Sequence, residues 1–199
     1  MPTVFSHALV GLAAADAVVP RGRSHPRLLF TAAVLAVVPD LDGLFMYWVP
    51  YGAPWGHRGA SHSIAFALLL AVVGSLYPFR REGILGGRWS RTVLLLWAVT
   101  ASHGILDAFT DGGLGIAFFA PFRHDRYFFP VEAIPVSPIG RAFFSAAGLS
   151  VLAAEIWLLW LFCAAAAVAK RATGMGGWLA AGLLTVAGAV GWIWRCMAS

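Results

Sequence analysis

Six apolar stretches, at roughly 4–19, 28–49, 62–79, 92–110, 143–169 and 175–194, occupy most of this chain. A surface helix of a soluble domain is apolar along one stripe only, and helices that are apolar all round are either deeply buried or in lipid. Most of these stretches approach the ~20 residues that a helix needs to cross a hydrocarbon core about 30 Å thick. Backbone in lipid must satisfy its own hydrogen bonds, which leaves helices or closed barrels, and these stretches exceed the roughly 9–11 residues of a barrel strand. The expected fold is all-α: a polytopic membrane helical bundle of about six helices, forming a single integral membrane domain over residues 1–199. Composition agrees, with 60% hydrophobic and 12% charged residues against about 25% charged in soluble domains.

The first stretch is short for a span. Its leading residues, Met1 to His7, carry no Lys or Arg, and the basic cluster Arg21, Arg23, Arg27 follows it. That order is the reverse of a signal peptide, so the segment reads as a retained helix with its N-terminus outside. The first connection, the third (Arg80, Arg81, Arg88, Arg91) and the fifth (Lys170, Arg171) hold nine of the fourteen basic residues. In a six-helix arrangement these three connections share one side, which the positive-inside rule makes cytoplasmic. Both termini, the 50–61 connection and the long 111–142 connection then face outward, in the cytoplasmic (inner) membrane of a bacterium or archaeon. The net charge of +5 is loop charge facing anionic headgroups and does not call for nucleic acid.

The 111–142 connection combines aromatics, four prolines and scattered Arg. It is expected either to anchor at the interface or to fold back as a lid over the helix ends. The glycines of the last stretch read as close-packing positions. Cys163 and Cys196 fall in opposite leaflets, beyond disulfide reach.

Ionisable groups inside spans are costly and are functional candidates by default. Here they cluster in four stretches: FSHALVG (His7), VVPDLDG (Asp40, Asp42), HRGASHS (His57, His62) and SHGILDAFTDGG (His103, Asp107, Asp111). At ~1.5 Å per residue, Asp40 lies about 18 Å from Leu28 and His103 about 17 Å from Thr92. All four stretches therefore bring their His and Asp residues to the outer half of the membrane, although the charge bias that set the orientation used none of them.

His103 and Asp107 are i, i+4 and share a helix face, a common way for one helix to offer two metal ligands. Thr110 continues that face. Asp40 and Asp42 diverge on a regular helix, but Pro39 and Gly43 permit local unwinding that turns both carboxylates to one cavity. The alternative is one ligand and one supporting acceptor. Imidazole and carboxylate donors without thiolate suit Zn above all, with Mn or Fe as alternatives. His7, His62, His103 and Asp107, with Asp40 or Asp42, are the expected ligands of one or two divalent ions. His25 reads as a loop residue, Asp16 has no assigned partner, and His124 lies near the outer face.

These four stretches, in this order, resemble the YdjM-type family of inner-membrane metal-dependent hydrolases, whose label also mentions LexA. The resemblance covers about residues 1–130, through the segment of Pro121, Phe122, Arg126 and Tyr127, and leaves about 143–194 as two further packing helices. Ser61 stands where the pattern has Thr. The His103-x-x-x-Asp107 element is also similar, more remotely, to that of zinc-dependent phospholipase C, which implies a helical site of one or two metals acting on phosphoesters.

Together these readings give the expected function: a membrane-embedded metal-dependent hydrolase in which metal-activated water attacks a phosphoester of a membrane lipid or lipid-linked substrate. The spare member of Asp40 and Asp42 would be the general base, and His57 a ligand or general acid. Arg58, Thr110, Arg123 and Arg126 would contact the substrate. The alternative is a divalent-cation binding or transport protein without hydrolase activity, although transport favours polar groups across the inner half, which is almost bare. An intramembrane metalloprotease would need an H-E-x-x-H helix, and none is present. The orientation has a direct test: a single cysteine introduced beside Arg88, in a chain with both native cysteines replaced by Ser, should react with an impermeant reagent only from the cytoplasmic side, whereas labelling from outside would invert the topology.

Overall fold

The computed structural model describes residues 1–23, 25–79 and 87–198. It is all-α. Helix α1 runs Val4–Val18, α2 Pro26–Val37, α3 Ile64–Phe79 and α4 Gly87–Ala108, followed by α5 (Ala146–Glu155), α6 (Leu161–Arg171) and α7 (Met175–Ala198). A π turn, Ile156–Trp160, joins α5 and α6 into one rod, so the described residues form six rods. Among them three helical stretches are long and apolar enough to cross a membrane: Pro26–Phe45, Ala146–Arg171 and Met175–Met197. Arg80 and Arg81 of the basic third connection lie outside the described residues.

Local chemistry sets the boundaries. The Thr3 side chain caps α1 by accepting from Ser6 N, and α1 stops just before Pro20, because the residue ahead of a proline disfavours helical dihedrals. Pro26 opens α2 at a position where its missing N–H is not needed. Pro39 removes a donor within the second stretch, and the helix tightens there into a 3₁₀ segment, Val38–Phe45. Residues 46–49, expected to be helical, form a turn instead. The third stretch begins with a separate 3₁₀ turn, Ala60–His62, ahead of α3.

The packing has two parts. Helices α1 to α4 form one group, with α1 against α2, α3 against α4, and α2 joining the pairs through α4; α6 pairs with α7 and meets the group through α1. The core is built from small residues, with Ala15, Ala32, Ala36 and Ala71 around Leu35, Leu96 and Val99. Lipid is as apolar as any side chain, so close backbone approach supplies the association. Gly11 shows it: a Cβ there would lie 2.8 Å from the Ala32 carbonyl oxygen and 2.8 Å from the Ala36 Cβ.

Because the helices alternate in direction, the first turn of α1, the 3₁₀ end of α2, the start of α3 and the last turns of α4 share one end of the bundle. Lys170 and Arg171 mark the other. Lys170 donates to Asp16 Oδ1 at 3.0 Å and Arg171 to Asp16 Oδ2 at 3.1 Å, which gives the partly exposed Asp16 its partners and ties α6 to α1.

The 111–142 connection folds back over the site end. Ile116, Ala117, Ala120, Ala133 and Ile134 in it are buried. Its backbone bonds tie it to its surroundings: Ile64 N donates to Phe118 O, Ala117 N to Arg58 O, Phe129 N to Ala108 O and Ser137 N to Met1 O. At the far end Arg195 of α7 holds it, donating to Ala133 O and to Asp111 Oδ2. Cys163 and Cys196 are not joined in a disulfide.

Gly11→Ala should therefore lower the stability of the detergent-solubilised protein by roughly 1–3 kcal/mol, an overpacking cost, read as a fall in thermal midpoint. Gly182→Ala, where an added Cβ meets nothing within 4 Å, should leave the midpoint unchanged or raise it slightly.

Candidate metal centre

Four acidic and imidazole side chains converge at the shared end of α1–α4. Asp40, His62, His103 and Asp107 are all buried, and each offers a ligand atom within 4.8 Å of the others. His103 Nε2 is 3.2 Å from Asp40 Oδ1 and 3.7 Å from Asp107 Oδ2. His62 Nε2 is 3.7 Å from Asp40 Oδ1 and 3.4 Å from Asp107 Oδ2. His7 adjoins the group, with Nε2 3.3 Å from Asp107 Oδ1 and its ring stacked on His103 at 3.8 Å between centroids.

The hydrogen bonds fix which nitrogen faces inward. His103 Nδ1 lies 2.7 Å from the Ala36 carbonyl oxygen. A carbonyl can only accept, so Nδ1 carries the proton and Nε2 presents a lone pair. His62 Nδ1 faces Asp42 Oδ2 at 3.2 Å and Ser61 Oγ at 3.0 Å, which gives it the same tautomer. The two Nε2 atoms then stand 3.1 Å apart, lone pair to lone pair. Beside them, both oxygens of Asp40, both oxygens of Asp107 and both ring nitrogens of His7 are buried without a hydrogen-bond partner among the described residues. Buried carboxylates without donors cost several kcal/mol, and opposed lone pairs repel. A divalent cation among them relieves both, so the donor set fits a metal.

Asp40 and Asp42 divide the work expected of them. The 3₁₀ segment turns both toward His62, but to opposite edges of the ring: Asp40 meets Nε2 and Asp42 meets Nδ1. Asp42 also bonds His57 Nδ1 at 2.6 Å and accepts from Arg58 N at 3.3 Å and from Ser61 Oγ. Its oxygens are thus engaged, while those of Asp40 are not. Ser61, at the Thr position of the motif, uses the hydroxyl that Thr would also supply.

Arg58 lies fully buried with φ of 63°, a left-handed backbone costing about 1–2 kcal/mol for a residue with a Cβ. Its guanidinium donates to Thr110 Oγ1 at 2.9 Å and to Gly112 O at 2.5 Å, and its Nε is 3.7 Å from Asp107 Oδ2. Gly113 makes room for it: a Cβ there would lie 2.5 Å from Arg58 Nη1. The Thr110 hydroxyl in turn donates to Asp107 O at 2.6 Å, so both of its hydrogen-bonding roles are used inside the protein.

The other two predicted substrate contacts lie elsewhere. Arg126 donates to the carbonyls of His57 and Tyr51 at 3.0 Å and of Ala53 at 3.2 Å, clamping the 50–61 connection under the cap. Partial burial draws its pKa below the usual guanidinium value. Arg123 is 69% exposed and pairs with Asp125 at 3.0 Å on the surface.

One buried acid escaped the sequence reading. Glu155, the single acid inside the fifth apolar stretch, is fully buried and accepts from Thr3 N and Thr3 Oγ1 at 2.6 Å and from Ser6 Oγ at 2.5 Å. The signal was an ionisable residue in a span; it was missed because no His or second acid stands near it in sequence.

Comparison with known proteins agrees with this picture. Residues 1–192 match the family described as YdjM inner membrane protein, so the match runs through the last helix and beyond the first 130 residues that carry the motifs. The chain is 37% identical over 172 residues to Inner membrane protein YbcI of Escherichia coli (strain K12), covering 81% of this chain and 92% of that protein. No solved structure matches it. With its three candidate spans and its buried His/Asp cluster, the chain belongs to the YdjM inner membrane protein family.

Proposed function

We propose that the protein is a metal-dependent hydrolase of the inner membrane, with Asp40, His62, His103 and Asp107 as ligands of a divalent ion, Zn above Mn or Fe, and His7 as a further donor. The carrying observation is the pair of buried carboxylates, Asp40 and Asp107, that have no hydrogen-bond donor and face two inward-directed imidazole lone pairs. When bound, such an ion supplies Lewis acidity, polarising a phosphoryl or carbonyl oxygen and acidifying water.

The surrounding residues have separable tasks. Asp42 holds His62 in its ligating tautomer, as acceptors behind metal-bound imidazoles commonly do. The same carboxylate holds His57 Nδ1, leaving His57 Nε2 to accept or deliver a proton; this makes His57, with Asp42 behind it, the general acid–base pair. Arg58 balances the charge of Asp107 and braces the end of α4 through Thr110.

A lipid or lipid-linked phosphoester is the substrate class that fits the location. Tyr47, Trp48, Trp55, Phe122 and Phe144 are exposed around the site end, and Trp and Tyr concentrate at headgroup level. The orientation that places this end outside rests on the basic connections. Burial of all four ligands favours a second reading, a bound cation without hydrolysis.

Metal analysis of purified protein should find one or two divalent ions per chain, with His103→Ala and Asp107→Asn both losing them; unchanged stoichiometry in both ends the metal reading. On a panel of lipid phosphoesters, His57→Ala should retain metal and lose about 10²–10⁴-fold in kcat, and Asp42→Asn should weaken metal affinity about 10–100-fold. Metal-replete wild-type protein that hydrolyses nothing on the panel would support the cation-binding reading instead.

A further inference from the structure

His7 is the imidazole of the cluster that no hydrogen bond orients. The outer nitrogen of His103 is fixed by the Ala36 carbonyl, that of His62 by Asp42 and Ser61, and that of His57 by Asp42. Both ring nitrogens of His7 lack a hydrogen-bond partner among the described residues. Its position is set by its stacking on His103, by its charge contact with Asp107 and by the backbone of the first turn of α1, which Glu155 holds from the other side of the fold.

The hold is specific. Glu155 takes one N–H and two O–H donors at 2.5–2.6 Å. Trp160 Nε1 donates to the same Ser6 hydroxyl at 2.7 Å. On an α-helix residues five apart point about 140° away from each other at ~100° per residue. The π turn between Glu155 and Trp160 has the wider i→i+5 winding, which brings both side chains to Ser6, the neighbour of His7.

We propose that Glu155 is a positioning residue of the metal centre: through Thr3 and Ser6 it sets the depth and rotation of the first turn of α1, and thereby places His7 against His103 and Asp107. This rests on reading the cluster as a metal centre. It makes the C-terminal helices part of the site, where the sequence motifs end near residue 130.

The test is Zn²⁺ and Co²⁺ affinity of the full chain in detergent, by chelator competition, for wild type, Glu155→Leu, Glu155→Gln, Ser6→Ala and His7→Ala, and for Glu155→Leu and Ser6→Ala in the His7→Ala background. Glu155→Leu should weaken Zn²⁺ binding about 10–100-fold, the usual effect of losing a supporting partner. Glu155→Gln, which keeps the shape and an acceptor oxygen, should recover most of it. In the His7→Ala background neither Glu155→Leu nor Ser6→Ala should cause further loss, and the Co²⁺ absorption spectrum should match that of His7→Ala alone. Unchanged affinity in Glu155→Leu, or the same fold-loss with and without His7, would overturn the proposal. Should Glu155→Leu not fold, Ser6→Ala carries the same comparison. Wild-type protein that binds neither ion would instead overturn the metal reading on which the proposal rests.

Discussion

Two carboxylates without a hydrogen-bond donor among the described residues, closed inside an apolar bundle, govern the rest of this structure. Asp40 and Asp107 are too costly to hold there as bare charges, and the groups around them are arranged as donors to something positive. Imidazole lone pairs point at the same space, Arg58 is buried beside Asp107 in a strained backbone conformation, and a glycine leaves room for its guanidinium. Much of the fold near the site end serves to keep water out and to hold these groups together.

The division between ligating and supporting groups follows from simple valence. A carboxylate that already accepts from an imidazole, a hydroxyl and a backbone N–H, as Asp42 does, has little left to offer an ion, whereas Asp40 has everything to offer. Asp42 touches both His62 and His57, so a change in charge at one is felt at the other through a shared acceptor. The capping connection plays the same supporting part on a larger scale: Arg126 and Arg195 spend their guanidinium donors on fastening it.

Much of this could be read from the chain. Apolar length gave the helices, the basic connections gave their alternation, and the i, i+4 spacing of His103 and Asp107 gave a shared face. The i, i+2 pair at Asp40 and Asp42 was legible because Pro39 and Gly43 flagged an irregular turn, although which carboxylate did which task depended on distances that spacing does not encode. The internal partners of Arg126 and Thr110 were not legible, because a polar side chain near a site in sequence carries no mark of the carbonyl or guanidinium it will meet. Glu155 was hidden for the opposite reason: its partners, Thr3 and Ser6, lie about 150 positions away, and no local pattern links them.

That separation bears on how the site is assembled. Of the clustered imidazoles and carboxylates His7 is the first to be synthesised, yet the side chain that secures its helix turn comes only with α5, and the backbone bond from Ser137 to Met1 is nearly as distant. The end of the bundle that gathers the His/Asp cluster is therefore closed by contacts between the two ends of the sequence, and the first turn of α1 has its full set of partners only once α5 is in place.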